Sequence, residues 1–397
     1  MIPDLRRRFN AQFRPERYQR LLRFLEERSG VPIGFRNCET PCFFERALLE
    51  KMADYGRELV AQVINNTEYL AAARARIPER FRTPGETPHP LFVQADFGLD
   101  EQGEPRLVEI QGFPSLYAYQ PLLVEAYRTA YALDDGLTPF FHGLDVETYT
   151  AMVRDAIVGP HDPENVVLLE IEPETQKTLP DFVLTERLYG IRTVCLTQVQ
   201  KQGRSLFYRR DGHLTRIERI YNRVIPDELE RRGITSGFDF RDELDVEWAD
   251  HPCWFFLLSK YALPFFHHPC VPETRFLDQV DPLPDDLEQY VLKPLFSFAG
   301  QGVRIGPVRE EIDAIADPSH YVLQRRIHFR PVIETPHGPT RVEVRIMYLW
   351  PRREDDEVRI EDLRPLTTLL RMGRGQMMGV DHNRDLEWVG ASVAFLV

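Results

Sequence analysis

In YVLKPLFSFAGQGVRI a run of β-favouring residues delivers Lys293, a loop carrying Gly300 and Gly302 follows, and a second strand begins at Val303. Glycines let the backbone approach phosphate oxygens and offer N–H groups to them, while a lysine supplies a compact positive charge. The segment is not a Walker A loop, because GK[ST] is absent and no helix is predicted to follow. An ordinary hairpin with a glycine turn has the same outward form. Lys260 lies upstream in LLSKYALPFF, where a lone lysine on an apolar stretch either snorkels to solvent or makes a second phosphate contact. Both belong to a set of only five lysines in a chain with 49 Lys plus Arg. A codon bias toward Arg explains the imbalance, yet each lysine marks a place where the compact ammonium is retained.

A second group lies in VQADFGLDEQGEPRLVEIQGFPS. Asp96 falls on one strand, Glu109 and Gln111 on the next, and EQGEP turns the chain between them. Alternation along a strand puts Glu109 and Gln111 on one face, and a hairpin brings Asp96 across from them. Oxygen donors of this kind suit Mg²⁺, which one or two carboxylates commonly hold together with substrate phosphates. The alternative is a surface hairpin with one polar face. Phosphate cradle and magnesium ligands would serve one ligand, so the two groups reinforce each other.

The elements that must position these residues follow from periodicity. Residues 1–90 read as helical: PERYQRLLRFLEERSG has apolar residues at helical spacing and stops at Gly30 and Pro32, and ERALLEKMADYGRELVAQVIN is a longer amphipathic helix. Their roles are packing against a later domain, a lid, or an oligomer surface. Character changes near residue 90, where the hairpin begins, and SLYAYQPLLVEAYRTAYAL then predicts a helix. From about residue 160, NVVLLEIE, TLPDFVLTERLYG, IRTVCLT and DELERRG alternate strand and helix, which suggests a Rossmann-like three-layer unit without a GxGxxG fingerprint. From Trp254, FFLLSKYALPFF predicts a helix, followed by strands at YVLKPL, GVRIGP, YVLQRRI, RVEVRIMYLW and ASVAFLV. REDDEVRIED reads as a solvated loop.

Length and composition set the outer limits. A chain of 397 residues has room for two or three domains or one large α/β enzyme with insertions, and 43% hydrophobic with 28% charged residues is the balance of a soluble globular protein. The formal net charge of −13 argues against a general nucleic-acid or anionic-membrane surface, though not against a nucleotide pocket. No apolar run is long enough to span a bilayer, and the N-terminus shows no signal-peptide core. The five scattered cysteines, at 38, 42, 195, 253 and 270, fit a reducing compartment; Cys38 and Cys42 make a weak zinc case. A cytoplasmic protein is the expectation, with no nucleic-acid or membrane partner and no indication of oligomeric state.

On these residues the sequence resembles the ATP-grasp superfamily, and in particular its glutathionylspermidine synthetase-like branch, whose motif order is permuted. In that branch an Asp is followed about a dozen residues later by Glu-x-Asn and a Pro-Ser or Pro-Thr. Asp96, Glu109, Gln111 and Pro114-Ser115 follow that pattern. The branch carries its nucleotide lysines late, and SKYALPFF and VLKPLFSFAGQG are similar, with Lys260 and Lys293. YVLQRRI resembles the hinge strand beside adenine, which would place Gln324 and Arg325 near the base. RVEVRIMYL resembles the strand after it, with Arg345 in reach of phosphate, and IYNRV, with Arg223, resembles the end of the preceding domain. The resemblance spans roughly residues 91–397. Gln111 departs from the usual Asn, and Gln94 stands where the branch commonly has an Arg near the reacting phosphate.

The resemblance implies an α/β ATP-grasp fold with a Rossmann-like pre-ATP-grasp domain and an N-terminal helical region. The corresponding divisions are a helical region at 1–90, the metal-ligand hairpin and helix at 91–150, the Rossmann-like domain at 151–250 and the nucleotide-binding domain at 251–397. It implies a carboxylate–amine ligase that uses ATP and Mg²⁺, two ions, and forms an acyl phosphate on a small-molecule or peptide carboxylate before an amine displaces phosphate. Lys260 and Lys293 would hold phosphates under a loop of Phe296, Ser297, Ala299, Gly300, Gln301 and Gly302. Asp96, Glu109 and Gln111 would hold the metal, and Arg345, Arg371 or Arg374 would stabilise the migrating phosphoryl group. Asp381 and Asn383 are the alternative metal ligands, and Ser115, Tyr117 and Tyr119 mark an acceptor pocket. A phosphotransferase that stops at phosphorylation and a non-catalytic nucleotide-binding protein are the competing functions.

Overall fold

The computed structural model describes residues 1–297, 300–379, 383 and 385–397. Its centre is a five-stranded antiparallel sheet ordered Gly390–Ser392, Arg364–Gly373, Arg341–Leu349, Phe92–Leu99 and Pro105–Gln111. The hairpin read from the sequence therefore forms one edge of the sheet. It pairs directly with a strand about 250 residues later, with Asp96 opposite Arg345. A β-bulge after Asp96 shifts the hairpin register, so Asp96 faces Glu109 and Gln94 faces Gln111.

The strand period of two gives this sheet two unlike faces. Val93, Ala95, Phe97, Val344, Ile346, Tyr348, Leu370 and Met372 form an apolar face in one core cluster with Leu49, Met52, Leu59 and Val60 of the helix Arg46–Ile64. The opposite face is charged over Gln94, Asp96, Glu343, Arg345 and Arg371. It turns apolar farther along, at Phe92, Met347, Leu349 and Leu369, where it joins a second core with Leu122 and Leu123 of the helix Tyr119–Tyr131.

Between the hairpin and its partner strand the chain builds three further sheets, a small antiparallel one of Gln200–Gln202, Ser205–Arg210 and His213–Ile217 and two of four strands. The strands Glu247–Trp248, Arg219–Asn222, Val166–Glu170 and Arg192–Cys195 are all parallel, with the helix Leu179–Tyr189 crossing between two of them and closing at Gly190, φ 79°. The alternating pattern from residue 160 has this cause. The other four-stranded sheet is antiparallel, ordered Thr274–Phe276, Tyr321–Arg325, Tyr290–Pro294 and Arg304–Ile305, and it carries Lys293 and Gln324. The N-terminal stretch is helical at Pro3–Gln12, Pro15–Ser29, Arg46–Ile64 and Thr67–Arg76. Gly30, at φ 79°, ends the second helix and donates its N–H to Glu26 O at 2.8 Å.

FFLLSKYALPFF differs from expectation. It is one turn, Trp254–Leu257, then a break, then a 3₁₀ segment, Lys260–Phe265. Ser259 breaks it by accepting the Tyr261 N–H on its own hydroxyl at 3.3 Å, and Pro264 prevents a regular helix from resuming. Among the described residues no helix is long and apolar enough to cross a membrane.

The apolar face leaves no spare room where helix meets sheet. A Cβ on Gly56 would lie 2.1 Å from the Tyr348 hydroxyl. Tyr348 is fully buried and donates to Ala53 O at 2.8 Å, so its ring has nowhere to retreat. Gly56→Ala should cost about 1–3 kcal/mol through overpacking, read as a fall in the thermal midpoint. A midpoint equal to the parent's would refute this account of the helix–sheet contact.

Candidate functional site

The charged face of the central sheet is the site. Alternation and register put Asp96 at its middle, flanked across the strands by Glu109 on one side and Arg345 on the other. Glu343 sits opposite Arg371 on the next strand pair. Asp96 is 1% exposed and Arg345 5%. Burying such charges costs several kcal/mol per ion unless each is paired and hydrogen-bonded.

The pairing is complete. Arg345 grips Asp96 with two parallel bonds, Nε to Oδ1 at 2.6 Å and Nη2 to Oδ2 at 2.7 Å, and its Nη1 donates to Gln94 Oε1 at 2.8 Å. Arg371 donates to Asp96 Oδ2 as well and reaches Glu343 at 2.5 Å. With its amide oxygen turned toward the guanidinium, Gln111 accepts from Arg345 Nη1 at 3.3 Å and Nη2 at 3.2 Å. Glu109 lies 3.9 Å from Arg345 Nη2 and 3.2 Å from Lys260 Nζ.

The two lysines arrive from other elements. The break at Ser259 starts the 3₁₀ segment at Lys260, whose ammonium donates to Ser297 O at 2.7 Å. Lys293, on the neighbouring sheet, donates to Val108 O at 2.8 Å and Gln324 Oε1 at 2.6 Å. Gln324 is fixed in turn by its bond to Thr274 Oγ1 at 3.0 Å. Four cations, Lys260, Lys293, Arg345 and Arg371, thus meet three carboxylates, Asp96, Glu109 and Glu343.

This electrostatic setting moves the ionisations. Burial alone would push Glu109 up, but Lys260 first, then Arg371, Arg345 and Lys293, hold its carboxyl at about 2. Burial drives the Lys293 ammonium down to about 8; Glu109 opposes that fall and Lys260 adds to it. Burial also raises the Glu343 carboxyl, with Arg371 opposing and Asp96 and Glu109 adding to the rise.

Two features of the loop suit phosphate. Gly300 and Gly302 have φ of 74° and 71°, in the left-handed region that glycine tolerates. Among the described residues the buried Ser297 hydroxyl, beside Lys260, has no hydrogen-bond partner. Between Phe113, Phe255, Phe296, Ser297, Lys260 and Glu109 lies a cavity of only about 20 Å³. That volume holds one water.

The metal reading meets a different outcome. Both oxygens of Asp96 are engaged by guanidinium N–H groups, Gln111 faces Arg345 and Gln94, and Glu109 is paired with Lys260. Mg²⁺ needs free oxygen lone pairs in octahedral array, so in this arrangement the donor set does not fit it. Among the described residues no group of three or more His, Cys, Asp or Glu side chains is placed to hold a metal ion.

Other expected residues lie elsewhere. Arg325 is on the exposed side, paired with Asp286 at 2.8 Å and lying 5.0 Å over the Tyr290 ring. Arg374 turns away from the cluster to Thr340 Oγ1 at 3.2 Å and Glu387 O at 2.7 Å. Gln301 is exposed on the loop. Asn383 is a backbone staple, accepting from Gly375 N at 3.1 Å and donating to Met377 O at 2.9 Å. Tyr117 and Tyr119 are core residues whose hydroxyls bond Tyr348 O and Asn37 Oδ1, and Ser115 O accepts from Gln94. Arg223 pairs with buried Asp181 at 2.9 Å, and its guanidinium lies 5.8 Å over the Phe113 ring that lines the small cavity. Ala299 and Asp381 lie outside the described residues.

Glu343 was missed by motif reading. Its signal was the alternation in RVEVR, which puts Glu343 on the same face as Arg345. A larger cavity of about 500 Å³ lies apart from the cluster, lined by Leu91, Met152, Leu349, Arg219, Glu247 and Arg352. Its charges are satisfied among themselves: Arg219 pairs with Glu247 and donates to Ile157 O at 2.8 Å and Ala156 O at 3.0 Å.

Comparison with known proteins adds the fold. No protein-family model matches the sequence, and no curated protein matches it. Among solved structures, the chain is similar to a glutathione synthetase-like effector from Globodera pallida in its apo form, with a TM-score of 0.58 and 13% identity over 96% of each chain. The likeness is one of fold. The chain has a mixed α/β, glutathione synthetase-like fold, in keeping with the ATP-grasp fold that the sequence resemblance implied.

Proposed function

We propose that this chain binds ATP over the Lys260–Lys293 cluster and uses it to activate a small-molecule or peptide carboxylate for attack by an amine. The observation that carries the reading is the excess of buried cation over carboxylate, set beneath a glycine loop with a Ser297 hydroxyl unpartnered among the described residues. Such a site calls for a polyanion. The glutathione synthetase-like fold supports the ligase class.

In this reading Lys260 and Lys293 exchange their carbonyl and amide partners for phosphate oxygens. The 296–302 loop closes over them and keeps water from the activated intermediate. The γ-phosphoryl group passes to a carboxylate oxygen as ADP leaves. The amine then forms the C–N bond, the C–O bond to phosphate breaks, and the amine gives up its proton. The protein's share is positioning and charge neutralisation, with Arg345 and Arg371 adjoining the lysines.

One observation favours a second reading, nucleotide binding without turnover. Gln94 replaces a cationic side chain beside the reacting groups, and it is tied to Ser115 O at 2.9 Å and to Arg345. An ADP-release screen of amino acids, polyamines and short peptides separates the two. A new amide identified by mass spectrometry, formed with one ADP, supports ligation. Tight ATP binding with no ADP across the screen supports the second reading.

Lys293 tests the site itself. Lys293→Met should weaken ATP binding at least a hundredfold in calorimetry, and unchanged affinity would remove the nucleotide from this cluster. Its lowered pKa also fixes a pH dependence. A phosphate binds the charged ammonium, so affinity is full below about pH 7 and is lost as pH rises through about 8. Between pH 8 and 9 the parent should approach a tenfold loss per unit, and Lys293→Met should show no such step.

A further inference from the structure

The donor set that the sequence marked for a metal is filled by an arginine. Arg345 lies 2.6 and 2.7 Å from the two Asp96 oxygens, within 3.3 Å of Gln111 and 3.9 Å from Glu109. Its guanidinium is the common neighbour of all three expected ligands. The placement is built into the fold, because Arg345 and Glu109 are the cross-strand neighbours of Asp96 on its two sides. Arg345 is buried in the middle strand of the sheet, and Gln94 holds its third nitrogen.

A divalent ion could enter only if the guanidinium left Asp96. That would take Asp96 from both Arg345 and Arg371, leaving Arg345 buried with two neutral amides and with Glu109 only at 3.9 Å, and breaking a buried ion pair in this way is costly. The ion would also join a cluster whose four cations already outnumber its three carboxylates. A guanidinium differs from Mg²⁺ in presenting planar donors instead of accepting lone pairs. It can meet carboxylate on one edge and a phosphate oxygen on another.

We propose that Arg345, locked in place by Asp96, occupies the metal position, so that the chain binds the nucleotide triphosphate free of divalent cation. This rests on the reading of the cluster as a nucleotide site and specifies the form of the ligand. The more negative, metal-free triphosphate complements the cation excess that a magnesium complex would partly duplicate.

Calorimetric titration of the full chain with ATP in excess EDTA and again in excess Mg²⁺ tests it. The dissociation constants should agree within about threefold, or favour EDTA. Binding that requires Mg²⁺ would overturn this proposal and leave the nucleotide site standing; no binding in either buffer would overturn both. Mn²⁺ titration followed by electron paramagnetic resonance should show no tight ion on the parent, with or without ATP. A tight ion would count against the proposal. Arg345→Met, checked for folding by circular dichroism, should weaken binding in EDTA at least tenfold and make the remainder depend on Mg²⁺. Equal binding in EDTA by a folded variant would refute the role of Arg345; should the variant not fold, the two parent titrations decide alone.

Discussion

An aspartate carboxylate held between two guanidinium groups in the middle of a β-sheet sets the terms for much of this molecule. Asp96 is out of water, and Arg345 and Arg371 supply three hydrogen bonds to its two oxygens. Removing any one member leaves charges unpaired in a poorly polarisable surrounding, where attraction and penalty are both large. The constraint also selects register. A slip of one residue in either strand would turn Asp96 or Arg345 into the apolar layer with Val344 and Ile346. The ion pair thus joins residues 249 apart in sequence and fixes how the hairpin meets the rest of the sheet.

The two faces of that sheet do different work. The apolar face, packed on the helix Arg46–Ile64, supplies the non-directional stabilisation that lets the other face carry buried charge. The polar face cannot be covered by another apolar layer, because Glu109 would lose its nearest partner, Lys260 at 3.2 Å. It is covered instead by Lys260 and Lys293, each brought by a different element, and these satisfy backbone carbonyls as well as carboxylates. The cluster stands closed in this state, with room for one water at its edge.

How much of this was legible in the sequence depended on how local each cause was. The hairpin, Lys293 on its strand and the glycine loop rest on neighbouring residues, and periodicity revealed them. The alternating strands and helices after residue 160 were equally plain, since Gly190 and Gly233 close their helices by local backbone geometry. The segment holding Lys260 misled because its apolar composition outweighed one hydroxyl and one proline. Arg374 and Asn383, read as chemical, hydrogen-bond a backbone carbonyl and a backbone N–H here, and such bonds leave no trace in residue type. Tyr117 and Tyr119 were drawn into the core for the same reason. Most consequential was the occupation of Asp96 by Arg345. No local pattern announces a cross-strand neighbour from a distant segment, although RVEVR carried the alternation that placed Glu343 and Arg345 together.

That long-range pairing changes what the donor residues mean. Asp, Glu and an amide at hairpin spacing describe a magnesium site only while the opposite strand presents nothing positive. Once an arginine is the facing residue, the same oxygens become the anchor for a fixed monocation. A fixed cation and a bound ion differ in consequence. The ion arrives with its ligand and leaves with it, whereas the guanidinium is present before binding, already desolvated and oriented. Its partners Asp96, Gln94 and Gln111 spend their oxygens on orienting it. Gln111 and Gln94 both turn amide oxygens to that guanidinium, and a second arginine at position 94 would set like charge beside Arg345 where an amide oxygen now accepts its N–H.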